Sequence, residues 1–188
     1  MKKKAIIISL KGKTLSKKEQ FILSRENPWG VILFKRNIHN LEQTQNLIKS
    51  IKKYSKNKKF PILIDEEGST VSRIKNIYNH NFNANLFGKI FEKDKKVAIQ
   101  IYKNYLKSLC KILKIVGFNF NTIPVLDVLR NNTSKIIGSR SFSYKKEIVK
   151  ILGDITVREC HKNKIISVIK HIPGHGCSTK DSHIYLPK

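Results

Sequence analysis

Short apolar runs alternate along the chain with longer stretches in which apolar residues recur every three or four positions. The first run, residues 5–10 (AIIISL), reads as a β-strand. Residues 16–25 read as a helix, because Ser16 can cap it and Glu19 stands three positions on, the spacing of a capping box. Residues 30–34 (GVILF) predict a second strand. Over 40–54, Asn40 is a natural cap, and Leu41, Thr44, Leu47, Ile48 and Ile51 repeat at helical spacing. Residues 60–64 (FPILI) predict a third strand that ends at Asp65. A polar loop then runs from 66 to about 85. Val97, Ile101, Tyr105, Leu109, Ile112 and Val116 mark a long helix that Gly117 can terminate. Residues 118–128 (FNFNTIPVLDV) are a fourth strand with its exit, followed by a loop over 129–144 and a helix over 145–162. Residues 165–169 (IISVI) are the fifth strand.

Strands alternating with amphipathic helices predict a parallel α/β fold, here a single domain over residues 1–188. An open doubly wound sheet and a (β/α)8 barrel both fit that order. The turn after the first strand, LKGKTLS, matches neither GxGxxG nor GxxxxGK[ST], which weakens a nucleotide-binding open sheet. Polar residues instead gather just past the carboxyl ends of several strands: Asp65, Asp127, Lys170 and His171. Barrel enzymes keep their chemistry at that end. The fold class expected is therefore α/β of the TIM-barrel type. A whole barrel takes about 250 residues. At roughly 35 residues for each strand-helix unit, 188 residues hold about five of the eight, so the barrel is expected to be truncated.

Charge changes this picture less than its size suggests. The formal net charge is +25, which raises nucleic acid as a partner. Only six of the 38 basic residues are arginines, the type favoured for reading phosphates and bases. The lysines are spread along the chain among asparagines and isoleucines, and we read them as solvated faces; no nucleic-acid partner is expected. No apolar run approaches the ~20 residues of a membrane span, so no membrane partner is expected either. The start, MKKKAIIISLKGK, imitates a secretory leader. Its apolar run is shorter than the core of about 7–15 residues that a leader needs, and lysines follow at once. The expected location is cytoplasmic. Three cysteines (Cys110, Cys160, Cys177) without a CxxC pair suit a reducing compartment.

The chemistry-bearing stretch is residues 170–183, KHIPGHGCSTKDSH. His171, His175 and His183 invite a metal reading, but Pro173, Gly174 and Gly176 forbid the regular helix that would align them. No metal and no cofactor are expected. PGHG offers backbone N–H groups, with no helix clearly starting there to lend its dipole to a phosphate. Asp181 and His183 stand two residues apart, so the carboxylate can orient the imidazole and raise its basicity. By spacing alone the pair is a weak signal, and a polar surface loop is the favoured reading. Asp65 can accept hydrogen bonds from substrate hydroxyls, or can simply pair with a lysine. Arg73 and Arg140 lie in strand-exit loops and are better suited than any lysine to grip a carboxylate or sugar hydroxyls. Cys177 has no dedicated base and is read as a spectator.

Taken together, these segments resemble a known family. KHIPGHG followed by DSH is similar to the KH(F/I)PGHG…DSH motif of glycoside hydrolase family 3 β-N-acetylhexosaminidases, in their bacterial cytoplasmic peptidoglycan-recycling branch. GVILFKRNI, ILIDEEGSTVSRI, NTIPVLDV and IIGSRSFS agree in the same order, so the resemblance spans nearly the whole chain. It implies hydrolysis of terminal, non-reducing β-linked N-acetylglucosamine with retention of configuration. It implies Asp65, Arg73, Arg140, Lys170 and His171 as substrate-binding residues. His183 is implied as the general acid/base, with Asp181 as its partner, where most retaining glycosidases use a second carboxylate. The glycines and proline of the loop would then let it close over bound sugar. There are two departures. A GGRV-like run reads GSTV here, so Thr70 replaces an arginine. The nucleophilic aspartate that the resemblance implies lies on a later loop, and none of these 188 residues takes that role. The expected partners are a muropeptide-type saccharide containing N-acetylglucosamine and the missing C-terminal half of the barrel. The alternative is a non-catalytic or split-gene fragment that needs a partner chain, or a sugar-binding remnant.

Overall fold

The computed structural model describes residues 3–181 and 184–186. Each predicted apolar run appears as a strand: β1 (Lys4–Ser9), β2 (Pro28–Leu33), β3 (Ile62–Ile64), β4 (Phe120–Asn121) and β5 (Ile166–Ser167). They form one parallel sheet whose strand order equals chain order. Register runs straight across it, with Ile32 opposite Leu63, Leu63 opposite Phe120 and Phe120 opposite Ile166. Parallel neighbours need crossover connections, and the helices supply them. These are α1 (Lys17–Phe21), α2 (Leu41–Tyr54), α3 (Ala84–Lys93), α4 (Lys95–Val116) and α5 (Lys146–Lys162).

Local signals explain most of these boundaries. Ser16 and Glu19 form the expected capping box, and α1 runs on into a π-helical turn over Ile22–Glu26. The Asn40 side chain accepts from the N–H of Gln43 at the start of α2. Gly117 closes α4 with φ 116°, the left-handed region in which glycine has no Cβ penalty. The helix α3 is an addition to the expected elements: it begins at the end of the expected polar loop and precedes the expected long helix. It is capped by Asn83, and Asp94 both ends it and caps α4. Its Gly88 is packed so tightly that a Cβ there would lie 1.8 Å from the carbonyl oxygen of Phe142. The fourth strand is shorter than expected because Pro124 has no N–H to donate. Pairing resumes beyond it, where the N–H of Lys170 bonds the Pro124 carbonyl and the N–H of Leu126 bonds the Lys170 carbonyl.

One core joins sheet to helices. Leu47, Ile48 and Ile51 of α2, Leu106, Leu109 and Leu113 of α4 and Leu152 of α5 bury with Val31, Leu33, Ile62 and Ile64. Each such side chain contributes about 1.5–3 kcal/mol when fully buried. The two outer strands are different. Ile6 and Ile7 of β1 are 54% and 45% exposed, and Ile166 of β5 is 51% exposed. The sheet is the barrel type, left open along both edges. No helix among the described residues is long and apolar enough to cross a membrane.

Candidate active site

The site is built past the carboxyl ends of β3, β4 and β5. Asn121, the buried last residue of β4, holds the chain that leaves β3: its Oδ1 accepts from the N–H of Glu66 (3.0 Å) and its Nδ2 donates to the Glu66 carbonyl (2.8 Å). The segment leaving β3 is extended, so its side chains alternate. Glu66 points into the core, where its Oε2 accepts from the Ser72 hydroxyl (2.9 Å) and the N–H of Arg73 (2.8 Å). That shapes the turn which presents Arg73. Asp65 and Glu67 lie on the other side and line a cleft of about 530 Å³, together with Thr70, Arg73, Lys135, Arg140, Lys170 and His171.

Charges there are paired with little slack. The Thr122 hydroxyl donates to Asp65 Oδ1 at 2.6 Å, and Arg73 Nη2 reaches Oδ2 at 3.4 Å. Lys170 Nζ lies 2.8 Å from the Thr122 hydroxyl, 3.5 Å from Asp65 Oδ1 and 2.5 Å from Glu67 Oε1. Arg140 forks onto Glu67, with Nε to Oε2 at 2.7 Å and Nη2 to Oε1 at 3.0 Å. His171 Nδ1 lies 2.5 Å from Asp127 Oδ2, and its Nε2 lies 3.4 Å from Arg140 Nη2. Arginine only donates, so Nε2 carries the lone pair and Nδ1 the proton given to Asp127. Three carboxylates, three cations and the His171 imidazole thus meet in one cleft.

The electrostatics follow from these contacts. Burial works to raise the Asp65 carboxyl, but the Thr122 hydroxyl, Lys170 and Arg73 outweigh it and hold it below the ordinary carboxylate value. Burial likewise opposes ionisation of Asp127, and the bond from His171 with the N–H groups of His175 and Gly176 brings it below its ordinary value. For Arg140, burial pulls downward and Glu67 more than compensates, so its pKa is raised. The cleft therefore offers ionised acceptors and donors at neutral pH, suited to the hydroxyl and amide groups of a polar ligand.

The five residues expected to bind substrate, Asp65, Arg73, Arg140, Lys170 and His171, all line this one cleft. Asp181 is partly buried and lies outside that lining, while His183 falls outside the described residues. Cys177 is exposed and free. Thr70, where the family motif has arginine, bridges to Ser139 through their hydroxyls at 2.7 Å. Sequence reading passed over Glu67, Thr122 and the partnership of Asp127 with His171. Only Glu67 carried a signal: an acid two positions after Asp65 on an extended segment shares its face.

An open run of β/α units with a charged cleft past the strand ends defines a barrel-type domain of the kind that carries enzyme sites at this face. The chain belongs to glycosyl hydrolase family 3: residues 3–188 match the Glycosyl hydrolase family 3 N terminal domain. It is 31% identical over 183 residues to the beta-hexosaminidase of Psychromonas ingrahamii, covering 97% of this chain and 52% of that protein. The beta-hexosaminidase of Haemophilus influenzae is also 31% identical, with 97% and 51% covered. The crystal structure of NagZ from Neisseria gonorrhoeae in complex with N-trifluoroacetyl-D-glucosamine superposes with a TM-score of 0.88 at 29% identity, over 98% of this chain and 54% of that one. The chain spans about half the length of the curated relatives it matches.

Proposed function

We propose that the complete protein containing this chain is a cytoplasmic β-N-acetylhexosaminidase of peptidoglycan recycling. It releases terminal, non-reducing β-linked N-acetylglucosamine from muropeptide-type saccharides. The observation that carries the reading is the convergence of Asp65, Arg73, Arg140, Lys170 and His171 on one cleft. The likeness to beta-hexosaminidases, and to a NagZ crystallised with an N-acylated glucosamine, supports it. In this reading Asp65 accepts from sugar hydroxyls. Lys170, Arg140 and Arg73 donate to sugar oxygens, and the network among them fixes their geometry in advance.

His183 then gives its proton to the glycosidic oxygen as the bond to the leaving group breaks, and Asp181 holds its imidazole. A carboxylate attacks the anomeric carbon, and the glycosyl intermediate is released when His183 takes a proton from water. No residue of this chain is assigned that carboxylate; it comes from further strands that continue the sheet. The exposed Ile6, Ile7 and Ile166 on the outer strands favour such a continuation, in the same polypeptide or in a partner chain. The test is turnover of a chromogenic β-N-acetylglucosaminide by the complete protein. Turnover is expected, with its loss in His183→Ala; turnover that survives this substitution refutes the assignment.

A further inference from the structure

Two loops that leave neighbouring strands are fastened together at one fully buried carboxylate. Asp127 Oδ2 accepts a hydrogen bond from His171 Nδ1 at 2.5 Å. Its other oxygen, Oδ1, accepts from the backbone N–H of His175 and from that of Gly176 (3.0 Å). The carboxylate is itself placed by the Ser141 hydroxyl, which donates to the Asp127 carbonyl at 2.5 Å. Gly176 sits so close beneath that a Cβ would lie 2.3 Å from the Val128 carbonyl oxygen. Two further bonds extend the seam: Thr133 hydroxyl to the Gly176 carbonyl (2.5 Å) and the Ser134 N–H to the Ser178 carbonyl (2.8 Å).

From this geometry we propose that Asp127 is a positioning residue. One carboxylate both orients the cleft imidazole of His171 and anchors the start of the loop that leads to Asp181 and His183. The proposal rests on the reading of this cleft as a sugar site. Each oxygen has one task, and neither task can be delegated. An asparagine in its place has one acceptor and one donor group. If its oxygen keeps the two backbone N–H groups, its amide faces His171 Nδ1 and can only donate. His171 must then carry its proton on Nε2, pointing at the donor Arg140 Nη2. If the amide is turned over, it faces two backbone donors instead. Either way one of the two tasks fails: the imidazole loses the tautomer that accepts from Arg140, or the loop loses its anchor. His171→Ala disturbs the grip alone.

The experiment uses the complete protein. Nitrogen-15 spectra of its histidines are expected to place the His171 proton on Nδ1, and hydrogen exchange is expected to find the His175 and Gly176 N–H groups protected. Asp127→Asn is expected to move the tautomer or unprotect those two amides. With a chromogenic β-N-acetylglucosaminide, it should lower kcat about 100-fold as well as raise KM, the scale of loss for a misplaced catalytic group. His171→Ala should act mainly through KM. An Asp127→Asn protein with wild-type tautomer, protection and kcat overturns the proposal. So does a wild-type protein whose His171 carries its proton on Nε2, or whose two amides exchange freely, and that result needs no variant to fold. Absence of turnover in the wild type refutes the enzymatic reading, while the spectra still decide on the attachment.

Discussion

Replacing Glu67 by glutamine removes one negative charge and changes almost no volume. Glu67 is 4% exposed and faces two cations, Arg140 and Lys170, at 2.7 and 2.5 Å. At an effective dielectric near 20, each such contact is worth about 6 kcal/mol of Coulomb attraction, offset by the desolvation of the ions. Breaking a buried pair from one side typically costs about 3–5 kcal/mol, because the remaining charge has lost its partner. Lys170 keeps Asp65 at 3.5 Å and the amide oxygen can still accept one bond, so the lower end applies. The expected loss is about 3 kcal/mol, or about 6–12 °C in Tm for a chain of this size. Urea and thermal unfolding followed by circular dichroism measure it, with Glu42→Gln on the exposed face of α2 as the silent control. The loss should persist in 1 M salt, since buried charges are screened little. A Glu67→Gln protein within about 0.5 kcal/mol of the control refutes the claim that this carboxylate holds the site together.

Two further outcomes follow from the same structure. Gly88→Ala brings a methyl group to within 1.8 Å of the Phe142 carbonyl, so α3 must shift off the 142 segment. The expected cost is about 3 kcal/mol, the upper end for overpacking, read as a lowered urea midpoint. Alanine at Gly12, which has open space around it, should be silent, and equal effects at the two positions would sink the packing argument. The second outcome concerns acid. Asp65 and Asp127 both have folded pKa values below their ordinary ones. The stability they contribute is therefore fully present above about pH 4 and is lost as pH falls through their lowered folded values. Unfolding midpoints should stay level from about pH 7 to 5 and fall below about 4, with a shallower acid slope in Asp65→Asn. An unchanged slope in that variant contradicts the assignment.

How much of this was legible in the sequence depended on whether a signal was local. Strands appear as short apolar runs, and caps such as Asn40 or Gly117 act within a few residues, so the order of elements followed from pattern. The helix α3 escaped because its apolar residues Leu86, Phe87, Ile90 and Phe91 make only two turns between polar ends. The site was legible where motifs are specific to a family: Asp65, Arg73, Arg140, Lys170 and His171, expected to bind substrate, meet at one cleft. Their supports were not. Thr122 is a neutral residue at a strand exit with nothing to mark it. Asp127 pairs with a histidine 44 positions away, and only strand adjacency brings them together.

That adjacency has a consequence for synthesis of the chain. Because strand order equals chain order, each new β/α unit docks on the one just made. The separations in the cleft network stay moderate, with Glu67 and Arg140 73 residues apart and Thr122 and Lys170 48 apart. Glu67 and Arg140 are both synthesised before Lys170, so the lysine can arrive at a carboxylate already half neutralised. The cleft's electrostatic order can assemble vectorially, residue by residue, as the nascent chain lengthens.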